Sequence, residues 1–298
     1  MIMQDIYNKY LNPENLIKLK DCQIIARLVA KGVITGKHRS LVSGMNLEFN
    51  EYREYAIGDS LRNIDWKAYA RKDKLYIKKY IEETNLSSYI VLDISKSMAY
   101  KTASISKYEF SIMLASALAF LLILQRDLTG LILFNEEIKK IINLSNKKEQ
   151  IFRLLNELLE HRPAEKTNFG ELLNSIQPLL KKRTLFIVIS DFLSNINEIL
   201  NFIIALKKAK NEVFCFHILE PTEINGPTED GIYFDLETNE RLNIDCKYIQ
   251  REYKNYFENY IKEIKAKFNL EKIYYQLFNS SEDFVLPLRF FLDKLKRV

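Results

Sequence analysis

From Ser88 onward, short apolar runs alternate with longer stretches of helical period, and this alternation restricts the chain more than any other feature. Tyr89-Ile90-Val91-Leu92 is a strand that ends at Asp93. Helical spacing follows from Lys107 to Gln125, then a second strand at Gly130–Phe134 and a short edge strand from Ile138 to Leu144. Lys147 to His161 carries Ile151, Leu154, Leu155, Leu158 and Leu159 on a helical repeat. Asn168 to Leu180 is a further helix. Leu185 to Ile189 is a continuous apolar run, as in a strand buried on both faces. Asn195 to Lys210 is helical and Glu212 to Leu219 is a strand. Strands alternating with helices form a mostly parallel sheet covered on both sides, a doubly wound α/β fold.

Beyond this core, a hairpin is expected between Gly231 and Asp245 with Asn239 in its turn. Cys246 to Phe268 has a long helical period, and its Tyr253, Tyr256, Phe257 and Tyr260 read as a packing stripe. Ile273 to Phe278 is a last strand, and Ser281 caps a closing helix that runs to Arg297. Before Glu83 the texture differs, because charges and tyrosines interrupt every apolar run. The chain therefore divides into a small β-rich N-terminal lobe, residues 1–87, and the sheet domain, residues 88–298.

Composition excludes several classes. With 8 Gly and 6 Pro among 298 residues, collagen-like and linker-like chains are out. Net charge is +5, with 15 basic to 11 acidic side chains in residues 1–87 and 29 to 28 thereafter, an excess too mild for a nucleic-acid stripe. Three cysteines, Cys22, Cys215 and Cys246, lack any pairing rhythm, which points to a reducing compartment. His38, His161 and His217 lie far apart without zinc-ligand spacing. The longest apolar stretch, Ile112 to Leu124, has 13 residues, against roughly 20 for a bilayer span. The N-terminus lacks the pattern of a secretory signal. A cytoplasmic protein without an integral membrane segment is expected.

The chemistry gathers where the first central strand ends, at Asp93-Ile94-Ser95-Lys96-Ser97. In open α/β sheets, ligands bind beyond the carboxyl ends of the strands. One carboxylate and two hydroxyls form a hard, oxygen-only donor set suited to Mg²⁺ or Mn²⁺. Further oxygens are available from Thr167, in the polar loop before a helix, and from Asp191, directly after the buried strand. Asp93, Ser95 and Ser97, then Thr167, then Asp191 resemble the metal-ion-dependent adhesion site of von Willebrand factor type A domains. The resemblance implies a von Willebrand A-like fold. It also implies that Asp93, Ser95, Ser97 and Thr167 hold the ion directly or nearly so, that Asp191 acts through water, and that a partner's carboxylate completes the coordination.

The N-terminal segment carries a second resemblance. Gly36-x-His38-x-Ser40, Gly44, Glu48-Phe49, the run from Arg53 to Trp66 and Ala70-Arg71 are similar to the signature of the bacterial family called domain of unknown function 58. That family pairs such a segment with a von Willebrand A-like domain and is commonly associated with MoxR-type AAA+ ATPases. Many members carry transmembrane helices ahead of the signature. Within it, Arg53, Asp59, Arg62, Asp65, Trp66 and Arg71 form either a charge-paired network that fixes the lobe or a docking face for the partner, with Trp66 and Arg71 as anchors.

The expected function is therefore a non-enzymatic, divalent-metal-dependent interaction module, working with a MoxR-type AAA+ ATPase in the assembly or activation of client complexes, the client being of unknown identity. A metal-dependent phosphoester hydrolase is the enzymatic alternative. It lacks a second carboxylate two residues after Asp93, where Ser95 stands, and no histidine neighbours either serine in sequence. Nucleic-acid binding through the basic lobe is the third reading.

Overall fold

Alternate residues of a strand face opposite ways, and here that divides the core in two. The computed structural model describes residues 49–55, 75–80, 86–102, 105–147, 149–181, 183–227, 229–236 and 241–282, with Ile64, Trp66 and Tyr69. They fall into two compact units, one within residues 37–85 and one from Leu86 on. In the smaller unit, β1 (Phe49–Glu54) and β2 (Tyr76–Tyr80) pair antiparallel, with Arg53 opposite Ile77.

The larger unit holds a six-stranded sheet in the order β10-β7-β6-β3-β4-β5. Its strands are β3 (Ser87–Asp93), β4 (Leu128–Phe134), β5 (Ile138–Ser145), β6 (Leu185–Ser190), β7 (Glu212–Leu219) and β10 (Tyr274–Asn279). All neighbours are parallel except β4 and β5. This is the expected doubly wound, mostly parallel α/β architecture. The antiparallel edge strand β5 carries Lys139 and Lys140, charges of the kind that discourage pairing with another chain.

On one face, Ile90, Leu92, Leu131, Leu133, Ile187 and Ile189 pack with α1 (Lys107–Leu124) and α2 (Glu149–Glu160). On the other, Tyr89, Val91, Ile132, Phe134, Phe186 and Val188 pack with α3 (Phe169–Ile176), α4 (Ile196–Lys208) and α6 (Cys246–Leu270). A one-residue slip would exchange the two sets, so burial of both faces pins the register. Gly130 is required where it stands: a Cβ there would lie 2.5 Å from the Tyr89 ring and 2.7 Å from the Ile142 carbonyl.

Helix α1 is apolar on all sides and is buried accordingly. Among the described residues it is the one helix long and apolar enough to cross a membrane. Ser106 caps it: the hydroxyl accepts the Glu109 N–H at 3.1 Å, and the Glu109 carboxylate accepts the Ser106 N–H at 2.8 Å. Helix α3 stops short of the expected Leu180. Pro178 has no N–H to continue an α-helix, and the chain tightens into a 3₁₀ turn over Gln177–Lys181.

The short helix α5 (Pro221–Asn225) follows β7, and β8 (Gly231–Phe234) with β9 (Arg241–Ile244) makes the expected hairpin. Asn239 and the closing helix beyond Glu282 lie outside the described residues. The aromatic stripe of α6 is narrower than expected. Phe257 is buried and stacks on Tyr253, whereas Tyr256 is 72% exposed. Successive residues are about 100° apart on a helix, which turns Tyr256 away from the face Phe257 buries.

Candidate metal centre

Asp93 is the last residue of β3, and the chain leaves β3 toward β4 while β6 lies on its other side. That is the switch point at which open α/β sheets bind ligands. The Asp93 side chain is fully buried and saturated with donors. Oδ1 accepts the Ser95 N–H at 2.9 Å; Oδ2 accepts the Thr167 hydroxyl at 3.1 Å and the Ser190 hydroxyl at 2.7 Å. The Ser95 and Ser97 hydroxyls are 3.1 Å apart, and Ser97 bonds Asp191. All five residues expected at the site therefore share one hydrogen-bonded cluster.

Thr167 follows no strand. Its loop is tied into place by backbone bonds: Ala164 N–H donates to the Ile94 carbonyl at 2.9 Å, and Lys96 N–H donates to the Glu165 carbonyl at 2.8 Å. The Asn135 amide, from the turn after β4, donates to the Ala164 carbonyl at 2.9 Å. Glu165 sits at φ 63°, left-handed backbone that costs a non-glycine residue roughly 1 kcal/mol or more. The same occurs beside Asp191, where Phe192 has φ 46°. Phe192 is wedged among aromatics, stacked on Phe169 at 5.9 Å with its edge toward His217 at 5.4 Å, and this packing holds the strained turn.

Three participants were not legible as site residues. Lys107, the first residue of α1, is fully buried with Nζ 2.7 Å from Asp191 Oδ2 and 2.7 Å from Glu223 Oε1. Glu223 belongs to α5, and Ser190 ends β6. A lysine opening a helix ordinarily reads as solvated, and a serine ending a strand reads as turn chemistry, so neither gives a sequence signal.

The electrostatics divide the two aspartates. Burial, and then the Asp191 charge, push Asp93 up to about 7 against the pull of its Ser190 and Ser95 hydrogen bonds. Burial acts the same way on Asp191, but the Lys107 ammonium outweighs it and holds Asp191 below the ordinary carboxylate range. Burial lowers Lys107, and Asp191 with Glu223 more than reverse this, so the ammonium stays charged.

Of the six residues expected to bind a partner, Arg53 lies on β1, and Trp66 is 61% exposed with its ring edge-on to Tyr69 at 6.3 Å. Asp59, Arg62, Asp65 and Arg71 lie outside the described residues. His161 bonds the Glu157 carbonyl and His217 bonds Tyr275, so neither described histidine is hydrogen-bonded to Ser95 or Ser97. Among the described residues no three His, Cys, Asp or Glu side chains converge as a metal cluster. The set here differs in kind, with two carboxylates and three hydroxyls. Oxygen-only donors at a buried, negatively charged point fit a hard divalent cation and not a soft one.

The mostly parallel sheet with one antiparallel edge has a von Willebrand A-like α/β fold. The chain belongs to the family described as protein of unknown function DUF58, whose model matches residues 51–266. It is 25% identical over 231 residues to the uncharacterized protein Rv1480 of Mycobacterium tuberculosis, covering 76% of this chain and 72% of that one. Among solved structures it is similar to the conserved hypothetical protein BatB from Bacteroides thetaiotaomicron, with 18% identity and a TM-score of 0.50, covering 72% of this chain and all of the other. An aerotolerance-related membrane protein from Bacteroides fragilis is similar at 16% identity and a TM-score of 0.46, over 70% of this chain and 100% of that one.

Proposed function

We propose that this protein is a non-enzymatic interaction module that uses a divalent cation, Mg²⁺ or Mn²⁺, to capture a carboxylate on another protein. The observation that carries the reading is the convergence of Asp93, Ser95, Ser97, Thr167 and Asp191 at one strand-end crevice. Asp93 supplies the direct negative charge, and Ser95, Ser97 and Thr167 supply neutral oxygens. Asp191, held by Lys107, adds a second carboxylate. The Ser190 hydroxyl donates to Asp93 and orients it. Bound there, the cation supplies positive charge and a coordination position that an outside carboxylate can take.

Capture needs no bond to be broken, so it asks of the site only charge and an open coordination position. Asp93 is followed by hydroxyls rather than a second carboxylate, and neither described histidine is placed to activate them. The resemblance to this family supports a MoxR-type AAA+ ATPase as the working partner, in the assembly or activation of client complexes. Size-exclusion chromatography of this protein with a purified MoxR-type ATPase tests the pairing. Co-elution in Mg²⁺ that is lost in chelator is expected; co-elution indifferent to chelator, or none in Mg²⁺, would count against it.

A further inference from the structure

Lys107 is out of place in its own helix. Apart from Tyr108, the rest of α1 is apolar or small where it is buried, and a Leu or Met at its first position would avoid the cost of burying an ammonium. Instead the side chain runs inward, passes the Tyr100 ring at 5.9 Å, and bridges carboxylates from two different elements. Buried ion pairs of this kind are weak contributors to stability compared with apolar packing. The pair shares Asp191 with the five-residue cluster, and that gives it another use.

We infer that Lys107 is a built-in counter-cation that keeps Asp191 from binding a divalent ion directly and offsets one of the centre's negative charges. The inference rests on the metal-dependent reading above. Both Asp191 oxygens are already taken: Oδ2 by Lys107 at 2.7 Å, Oδ1 by the Leu193 N–H at 3.3 Å, with Ser97 bonded to the same carboxylate. Asp93 differs, since its partners are hydroxyls and one amide, all neutral. Ionised, Asp93, Asp191 and Glu223 carry three negative charges and Lys107 returns one. One divalent ion then balances the group. With Asp93 as the only carboxylate in direct contact, the ion keeps an open side that no carboxylate of this chain fills and that a partner's carboxylate can take. Lys107 is thus a positioning residue, acting through Asp191.

The test measures Mg²⁺ by calorimetry, and counts waters on bound Mn²⁺ by magnetic relaxation, in wild type, Lys107→Met and Glu223→Gln. Removing the ammonium frees Asp191. Lys107→Met is expected to bind Mg²⁺ about tenfold more tightly or better, with fewer waters on Mn²⁺. Glu223→Gln leaves the Lys107–Asp191 pair but removes a negative charge, so it is expected to bind Mg²⁺ several-fold more weakly with the water count unchanged. These opposite signs are not what a merely structural lysine produces, since both variants would then lose affinity together. Thermal melts confirm folding, and Lys107→Gln replaces Lys107→Met if the latter does not fold. Unchanged or weaker Mg²⁺ binding by a folded Lys107 variant, or an unchanged water count, would overturn the inference while leaving the metal site standing. A wild-type protein that binds no Mg²⁺ would remove both.

Discussion

Truncating Asp191 to Ala is expected to lower unfolding stability by about 3–5 kcal/mol, measured by urea denaturation in chelator so that no bound cation contributes. The effect comes from what is left behind. Lys107 is fully buried and would keep Glu223 as its one remaining carboxylate. The Ser97 hydroxyl and the Leu193 N–H would each lose an acceptor as well. Asp191→Asn keeps the volume and an acceptor oxygen but not the charge, so a smaller loss of the same sign is expected. The double change with Lys107→Met should recover much of the deficit, because removing a whole buried pair is far less costly than breaking it. A loss below about 1 kcal/mol for Asp191→Ala would mean that the ammonium is not confined as described.

The second large effect is in the pH dependence of the metal-free protein, where two buried groups oppose each other. Asp93 is raised from 3.8 to about 7 by burial and the Asp191 charge. Between those values the folded state holds a proton that the unfolded chain has released. Its contribution is full below 3.8 and is lost as pH rises to about 7. His217 is lowered from 6.5 to about 3, chiefly by burial. There the unfolded chain takes the proton first, so stability present above 6.5 is lost as pH falls toward 3. At about 1.4 kcal/mol per pH unit, each group contributes several kcal/mol across its window. The windows overlap and the signs oppose, so each group offsets the other in the wild type. Removing one exposes the other. Relative to wild type, His217→Phe should gain stability on acidification from pH 7 to about 4, and Asp93→Asn should lose it. Denaturation midpoints across that range read both signs, and two variants tilting the same way would contradict the assignment.

The sheet was largely readable from sequence because its strands are continuous apolar runs, and both faces of β3, β4 and β6 are in fact buried. Helix ends were less so. Chain connectivity and hydrogen bonding set them, as Pro178 does for α3. At the site, Asp93 announces itself by ending a buried strand and Asp191 by directly following one. Thr167 offers only a polar loop before a helix; its place depends on backbone bonds with Ile94 and Lys96, and on the Asn135 side-chain amide, which its own residue type does not reveal. Lys107 was hidden for the opposite reason. Its residue type suggests solvent, and only the three-dimensional approach of Asp191 and Glu223 makes burial tolerable. The α6 stripe failed at Tyr256 because aromatic spacing marks one side of a helix without giving the width of the face that packs.

The central claim is that side chains distant in sequence form one cation site with Asp93 at its centre. Titrating Mg²⁺ into wild type and a folded Asp93→Ala variant by calorimetry addresses it most directly. A single site in wild type, with affinity reduced about 100-fold or more in the variant, is the expected result; equal binding by the two proteins would contradict it.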